Sequence, residues 1–115
     1  MKKHVLIIGA GGVAKVVAHK CAQNNHILGD IHVASRTLDK CEAILASIRE
    51  RNALKVEGQL EAHELDALDL AATEALIRRT GARIVINVGS AFLNMSVLSA
   101  CIATGAAYID TAIHE

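Results

Sequence analysis

The stretch His4-Val5-Leu6-Ile7-Ile8-Gly9-Ala10-Gly11-Gly12-Val13-Ala14 decides how this chain reads. Its first half is a short apolar run with β-branched residues; its second half is a cluster of small residues that opens into a helical pattern. A strand, a tight glycine turn and a helix in that order make the unit that holds a dinucleotide pyrophosphate. Gly9 lets the chain turn sharply after the strand, Gly11 lets the backbone approach the phosphates, and Ala14 sits where helix must pack closely on strand. The helix start then offers unpaired N–H groups and a positive dipole end to an anion. Small-residue clusters also arise for packing reasons alone. The preceding β-run, the helix after the turn and a second β-run ending in Ala34-Ser35-Arg36-Thr37 favour the nucleotide reading. In that first helix Val13, Val16, Val17 and Cys21 are expected to face inward, with Lys15, His19 and Lys20 outward.

Outward from this motif the chain alternates strand-like and helix-like segments. Asn24-Asn25 and Gly29-Asp30 mark a turn, and Ile31 to Ser35 reads as the second strand. Thr37 is the expected N-cap of a helix with Leu38, Cys41, Ile44, Leu45 and Ile48 inward. Leu60 to Asp66 is a third strand whose alternation is not clean. Asp69 is placed to cap a helix with Leu70, Thr73, Leu76 and Ile77 inward, ended by Gly81. Ile84 to Val88 is a fourth strand of central character. Asn94 or Ser96 opens a helix with Val97, Leu98, Cys101 and Ile102 inward, Gly105 closes it, and Ala107 to Asp110 is a fifth strand. The expected fold is α/β: a Rossmann-like, doubly wound parallel sheet in three layers, strand order 3-2-1-4-5, with right-handed crossovers and one domain over residues 1–115.

Composition agrees. The 115 residues are just over half apolar, yet Tyr108 and Phe92 are the aromatic ones, so the core must be aliphatic, as parallel strands covered on both faces require. Twelve basic and twelve acidic side chains cancel, which argues against nucleic-acid or membrane surfaces. Cys21, Cys41 and Cys101 are widely spaced on apolar helix stripes, as expected for buried free thiols in a reducing, cytoplasmic setting. Six histidines show no metal-ligand spacing, and no metal site is expected. Met1-Lys2-Lys3 before an apolar run mimics a signal peptide, but the glycines and Lys15 interrupt it. No run is long enough to span a bilayer.

The end of the second strand reads the adenosine ribose. NAD enzymes usually place a carboxylate there; this chain has Ala34-Ser35-Arg36-Thr37. Arg36 offers a planar fork of donors, and Ser35 and Thr37 add hydroxyls, so NADP(H) is inferred over NAD(H). The competing reading makes Arg36 a solvated residue before a helix, with Ser35 and Thr37 only as caps. Asp66 either borders the adenine or is a turn aspartate. Val88 and Gly89, at the strand-order switch, are candidates to face the nicotinamide half, and Asp110 and Thr111 end the fifth strand on the same edge. No residue is assigned as a proton donor.

Gly9 to Val13, Ala34 to Thr37 and Tyr108-Ile109-Asp110-Thr111-Ala112 resemble the amino-terminal portion of the saccharopine dehydrogenase family. The stretches Ala18 to Asn25, Lys40-Cys41-Glu42 and Asn94-Met95-Ser96 resemble its carboxynorspermidine (carboxyspermidine) dehydrogenase branch. The resemblance implies an NADPH-dependent reductase of the imine formed between an amino-acid semialdehyde and a diamine. It implies nucleotide contacts at Gly9, Gly11, Gly12, Val13, Ser35, Arg36, Thr37 and Asp66, within a candidate set that also includes Ala10, Ala14, Val88 and Gly89. Two positions depart from the family pattern: Ala14 stands where glycine is common, and Gly89-Ser90-Ala91-Phe92 lacks a frequent proline. Family members are longer and carry a substrate and dimerisation domain after this region, so catalytic completeness of these residues alone is not expected. Two alternatives remain: a stand-alone regulatory dinucleotide-binding module, and a non-catalytic remnant that forms homo-oligomers through an unfinished edge.

Overall fold

The computed structural model describes residues 3–111; Ala112 of the resembling stretch and residues 113–115 lie outside them. Five strands, β1 (Val5–Ile8), β2 (Ile31–Ser35), β3 (Leu60–Glu64), β4 (Ile84–Asn87) and β5 (Ala107–Asp110), form one sheet in the order β3-β2-β1-β4-β5. All four pairings are parallel, with Val5 beside Ile31 on one side and Ile84 on the other. The helices are α1 (Gly12–Gln23), α2 (Asn25–Leu28), α3 (Leu38–Glu50), α4 (Leu70–Thr80) and α5 (Asn94–Thr104), with a 3-10 turn at Ala91–Leu93. This is the expected three-layer Rossmann-like arrangement.

Alternation along the central strands feeds two aliphatic cores. Val5 and Ile7 join Ala14, Ala18, Ile44 and Ile48 on the α1/α3 face, while Leu6 and Ile8 join Leu76, Ile77, Val97 and Ala100 on the α4/α5 face. β1 is buried at every residue, as a strand covered on both sides must be.

Three helix faces differ from the expectation. In α1 the buried residues are Ala14, Ala18, Cys21 and Ala22, whereas Val13 and Val16 are exposed and Val17 is half-buried. The small side chains of Ala14, Ala18 and Ala22 fill the line of closest packing on the sheet, and Val17 packs at its edge. Leu70 and Ile102 are likewise exposed; on α4 Thr73, Leu76 and Ile77 are buried as expected, and on α5 Ala100 takes an inward place beside Val97 and Cys101. Asp69 caps α4 as expected, accepting the Ala72 N–H at 3.1 Å, and Gly81 and Gly105 end α4 and α5 in the left-handed conformation. Thr37 occupies the N-cap position of α3 without a side-chain cap bond. α5 likewise starts without one, after a turn in which Ser90 Oγ accepts the Phe92 N–H at 3.2 Å.

The Asn24-Asn25 turn holds a short helix, and Asn25 is buried within it. Its Oδ1 accepts the N–H groups of Lys55 and Val56, both at 3.0 Å, and its Nδ2 donates to the Val56 carbonyl at 2.9 Å. One amide thus pins the long connection from α3 to β3. Asn25→Ala is expected to lower unfolding free energy by about 1–3 kcal/mol, because it removes all three side-chain bonds that hold the 55–56 backbone. A urea melt with an unchanged midpoint would contradict that role.

Candidate nucleotide-binding site

The site lies at the carboxyl ends of β1, β2 and β4, where the strand order reverses. Two short hydrogen bonds set its floor: Gly9 N–H to the Ala34 carbonyl at 2.8 Å, and Val88 N–H to the Ile8 carbonyl at 2.9 Å. Gly9 sits at φ +124°, and a Cβ there would stand 2.9 Å from the backbone nitrogen of Gly89. The turn therefore requires glycine for both conformation and space. Gly11 and Gly12 differ: a Cβ at either meets nothing within 4 Å, so their missing side chains leave open room over the turn. Gly11 is the N-cap of α1, no side chain caps that end, and no acid occupies its first turn. The positive helix terminus is left to a ligand.

A cleft of about 250 Å³ opens above this floor. It is lined by Gly9, Ala10, Gly11, Ser35, Arg36, Thr37 and Gly89 of the predicted set, with Ile8, Lys40, Leu65, Ala67 and Leu93. Gly12 borders a neighbouring hollow with Lys15 and Lys40, and Asp66 borders another with Arg36, Glu64 and Leu65. Asp66 accepts the Leu68 N–H at 3.1 Å, so it also shapes the turn after β3. Val13, Ala14 and Val88 do not line the cleft. Val13 is exposed on α1, Ala14 is packed against the sheet, and Val88 packs against the core beside its bond to β1.

At the end of β2, Ser35 Oγ accepts the Thr37 N–H at 3.0 Å and donates to the Thr37 carbonyl at 3.1 Å, while Cys41 Sγ donates to it at 3.2 Å. The Ser35 hydroxyl thus builds the turn that presents Arg36, and its proton is already directed at protein. Arg36 and Lys40 are exposed cations on the rim, four residues apart across the start of α3. Lys40 was not in the predicted site: Arg36 precedes the N-cap of α3 and Lys40 lies in the first turn of that helix, so the two cations meet at one rim only in the folded chain.

Across the cleft, buried Asn87 holds the loop after β4. Its Oδ1 accepts the Gly89 N–H at 3.0 Å, and its Nδ2 donates to Asn94 Oδ1 at 2.7 Å. Tyr108 on β5 donates its hydroxyl to the same Asn94 oxygen at 3.0 Å. Burial foremost raises the Tyr108 hydroxyl to about 12, so it stays a donor throughout the neutral range. Cys21, Cys41 and Cys101 are buried free thiols; burial raises all three, Cys21 and Cys101 to about 11, which keeps them unreactive at neutral pH.

Uncapped helix, open glycine turn and a cleft at the strand switch define a dinucleotide-binding α/β domain. The chain belongs to a family within that class: residues 5–115 match the saccharopine dehydrogenase NADP binding domain. It is 48% identical over 110 residues to carboxynorspermidine synthase of Vibrio alginolyticus, covering 95% of this chain and 27% of that protein. It is 39% identical over 111 residues to carboxyaminopropylagmatine dehydrogenase of Synechocystis, covering 96% and 26%. The chain therefore spans about a quarter of the length of these curated relatives. Among solved structures, saccharopine dehydrogenase (L-Glu forming) of Saccharomyces cerevisiae shares the fold, with TM-score 0.73 and 20% identity over 98% of this chain and 22% of that one.

Proposed function

We infer that this chain forms the NADP(H)-binding part of a reductase acting on the C=N bond between an amino-acid semialdehyde and a diamine. The observation that carries the cofactor choice is the rim of the cleft at the end of β2. Arg36 follows the strand end where a ribose-reading carboxylate would be placed, Lys40 lines the same cleft from α3, and two cations suit a 2′-phosphate. The relatives named carboxynorspermidine synthase and carboxyaminopropylagmatine dehydrogenase support the substrate class.

In this reading the α1 terminus and the Gly9 to Gly12 turn hold the pyrophosphate, and Leu65 and Ala67 give an apolar wall to the adenosine half. Gly89 and Leu93 border the nicotinamide half, in a loop fixed by Asn87, Asn94 and Tyr108. The bound cofactor supplies a hydride; the protein holds it in place and excludes water. A further domain supplies the substrate wall. Phe92, Met95 and Ile102, large apolar groups left exposed around α5, are the surface against which such a domain, or a second copy, would pack. Three buried free thiols are compatible with a reducing, cytoplasmic setting. Among the described residues no helix is long and apolar enough to cross a membrane.

The test is a calorimetric titration with NADPH, NADH and 2′,5′-ADP. Tighter binding of NADPH than NADH is expected; equal affinity removes the NADP assignment, and no binding of any of the three removes the nucleotide site. Tyr108→Phe refines the picture. Losing one hydroxyl donor costs about 1 kcal/mol, so NADPH affinity is expected to fall about fivefold while 2′,5′-ADP affinity stays unchanged. An equal fall for both ligands would show that Tyr108 does not act through the nicotinamide-side loop.

A further inference from the structure

Away from the nucleotide cleft, β2 and β3 bring two histidines and a glutamate together. We propose that His32, Glu61 and His63 form a binding site for a borderline divalent transition-metal ion, which clips the edge strand β3 to β2. The pairing register sets the site: His32 lies beside Glu61 and Ala34 beside His63, so the three side chains project from one face of the sheet. A ligating atom from each lies within 4.8 Å of the others. His32 Nδ1 and His63 Nε2 are 3.0 Å apart, with ring centroids at 5.2 Å and planes 28° from parallel. Two nitrogens bound to one tetrahedral ion at ordinary bond lengths stand about 3.3 Å apart, so the imidazoles are within a few tenths of an ångström of that spacing.

Without an ion the two rings share one N–H···N hydrogen bond. Ion binding moves that proton to the other nitrogen of its own ring, so both imidazoles stay neutral and both lone pairs become donors. The surrounding charges are mixed: Glu61 and Asp30 act on His32 as anions, His4 lies near it, and Arg79 opposes positive charge at His63. His32 is buried, His63 half-buried and Glu61 exposed, so the site is fixed on the inside and the carboxylate closes it from solvent. Two nitrogens and one carboxylate oxygen suit Zn²⁺ or its neighbours rather than Mg²⁺, which demands oxygen ligands.

The experiment titrates the chain with Zn²⁺ under reducing conditions and follows calorimetry, thermal melting and histidine side-chain ¹⁵N resonances. One Zn²⁺ per chain is expected to bind, with the His32 and His63 ring signals shifting together and Tm rising; Mg²⁺ is expected to do neither. Glu61→Gln, at an exposed position, should weaken Zn²⁺ binding about tenfold, and His63→Gln should abolish it. Unmoved His32 and His63 signals in the unaltered chain, or unchanged Zn²⁺ affinity in Glu61→Gln, would overturn the site. Both readouts hold even if His63→Gln fails to fold.

Discussion

Arg36→Ala is expected to collapse the preference for NADPH over NADH by roughly 10- to 150-fold, the equivalent of about 1.5–3 kcal/mol for one charge-assisted contact to a phosphate. NADH affinity should hardly move, because the lost guanidinium faces a group that NADH lacks. Arg36 is exposed at the cleft rim, so stability should also be unchanged, and the melting temperature serves as the internal control. Lys40 lines the same cleft from the first turn of α3. Any preference that survives in Arg36→Ala should disappear in the Arg36→Ala/Lys40→Ala pair. Raised salt should weaken NADPH binding more than NADH binding, since the distinguishing contact is between exposed charges. A single variant that keeps the full NADPH preference would return Arg36 to the role of a solvated residue ahead of α3.

The second large effect is at the glycine turn, where two neighbouring glycines should behave oppositely. Gly9→Ala forces a side chain into φ +124° and sets its Cβ 2.9 Å from Gly89 nitrogen and 3.0 Å from the Val88 carbonyl carbon. Both obstacles are backbone, held by the Val88 to Ile8 bond, so neither can give way cheaply. The expected loss is about 3 kcal/mol or more, a large part of the stability of a domain this size, with nucleotide binding lost as well. Gly11→Ala adds the same methyl group in an ordinary backbone conformation, φ −86°, with nothing within 4 Å. It should keep the melting temperature and lose affinity for NADPH, because the methyl then occupies the space the phosphates need. The pair separates a glycine required by the fold from one required by a ligand. Equal melting temperatures for both variants would show that the Gly9 contact with the β4 loop is not tight.

Much of this architecture was legible in the order of residues. Four of the five strands, each long helix and the stops at Gly81 and Gly105 follow from patterns a few residues long. So do the Asp69 cap and the turn at Gly9, whereas β3 has no clean alternation. The helix faces were less legible. In α1, apolar size suggested the valines as the inward stripe, and the alanines took it because the helix sits close on the sheet. The Asn24-Asn25 turn was legible, but not that Asn25 is a buried clamp on a segment some 30 residues away.

The amino-acid sequence by itself determined the element order, the glycine turn and the cations after β2, because each depends on neighbours along the chain. Tertiary structure alone decided that Lys40 shares the cleft, that Tyr108 meets Asn94 across 14 residues, and that His32 meets His63 across 31. Those contacts exist only once parallel strands are in register and helices have settled on the sheet, and no local pattern carries the distance between such partners.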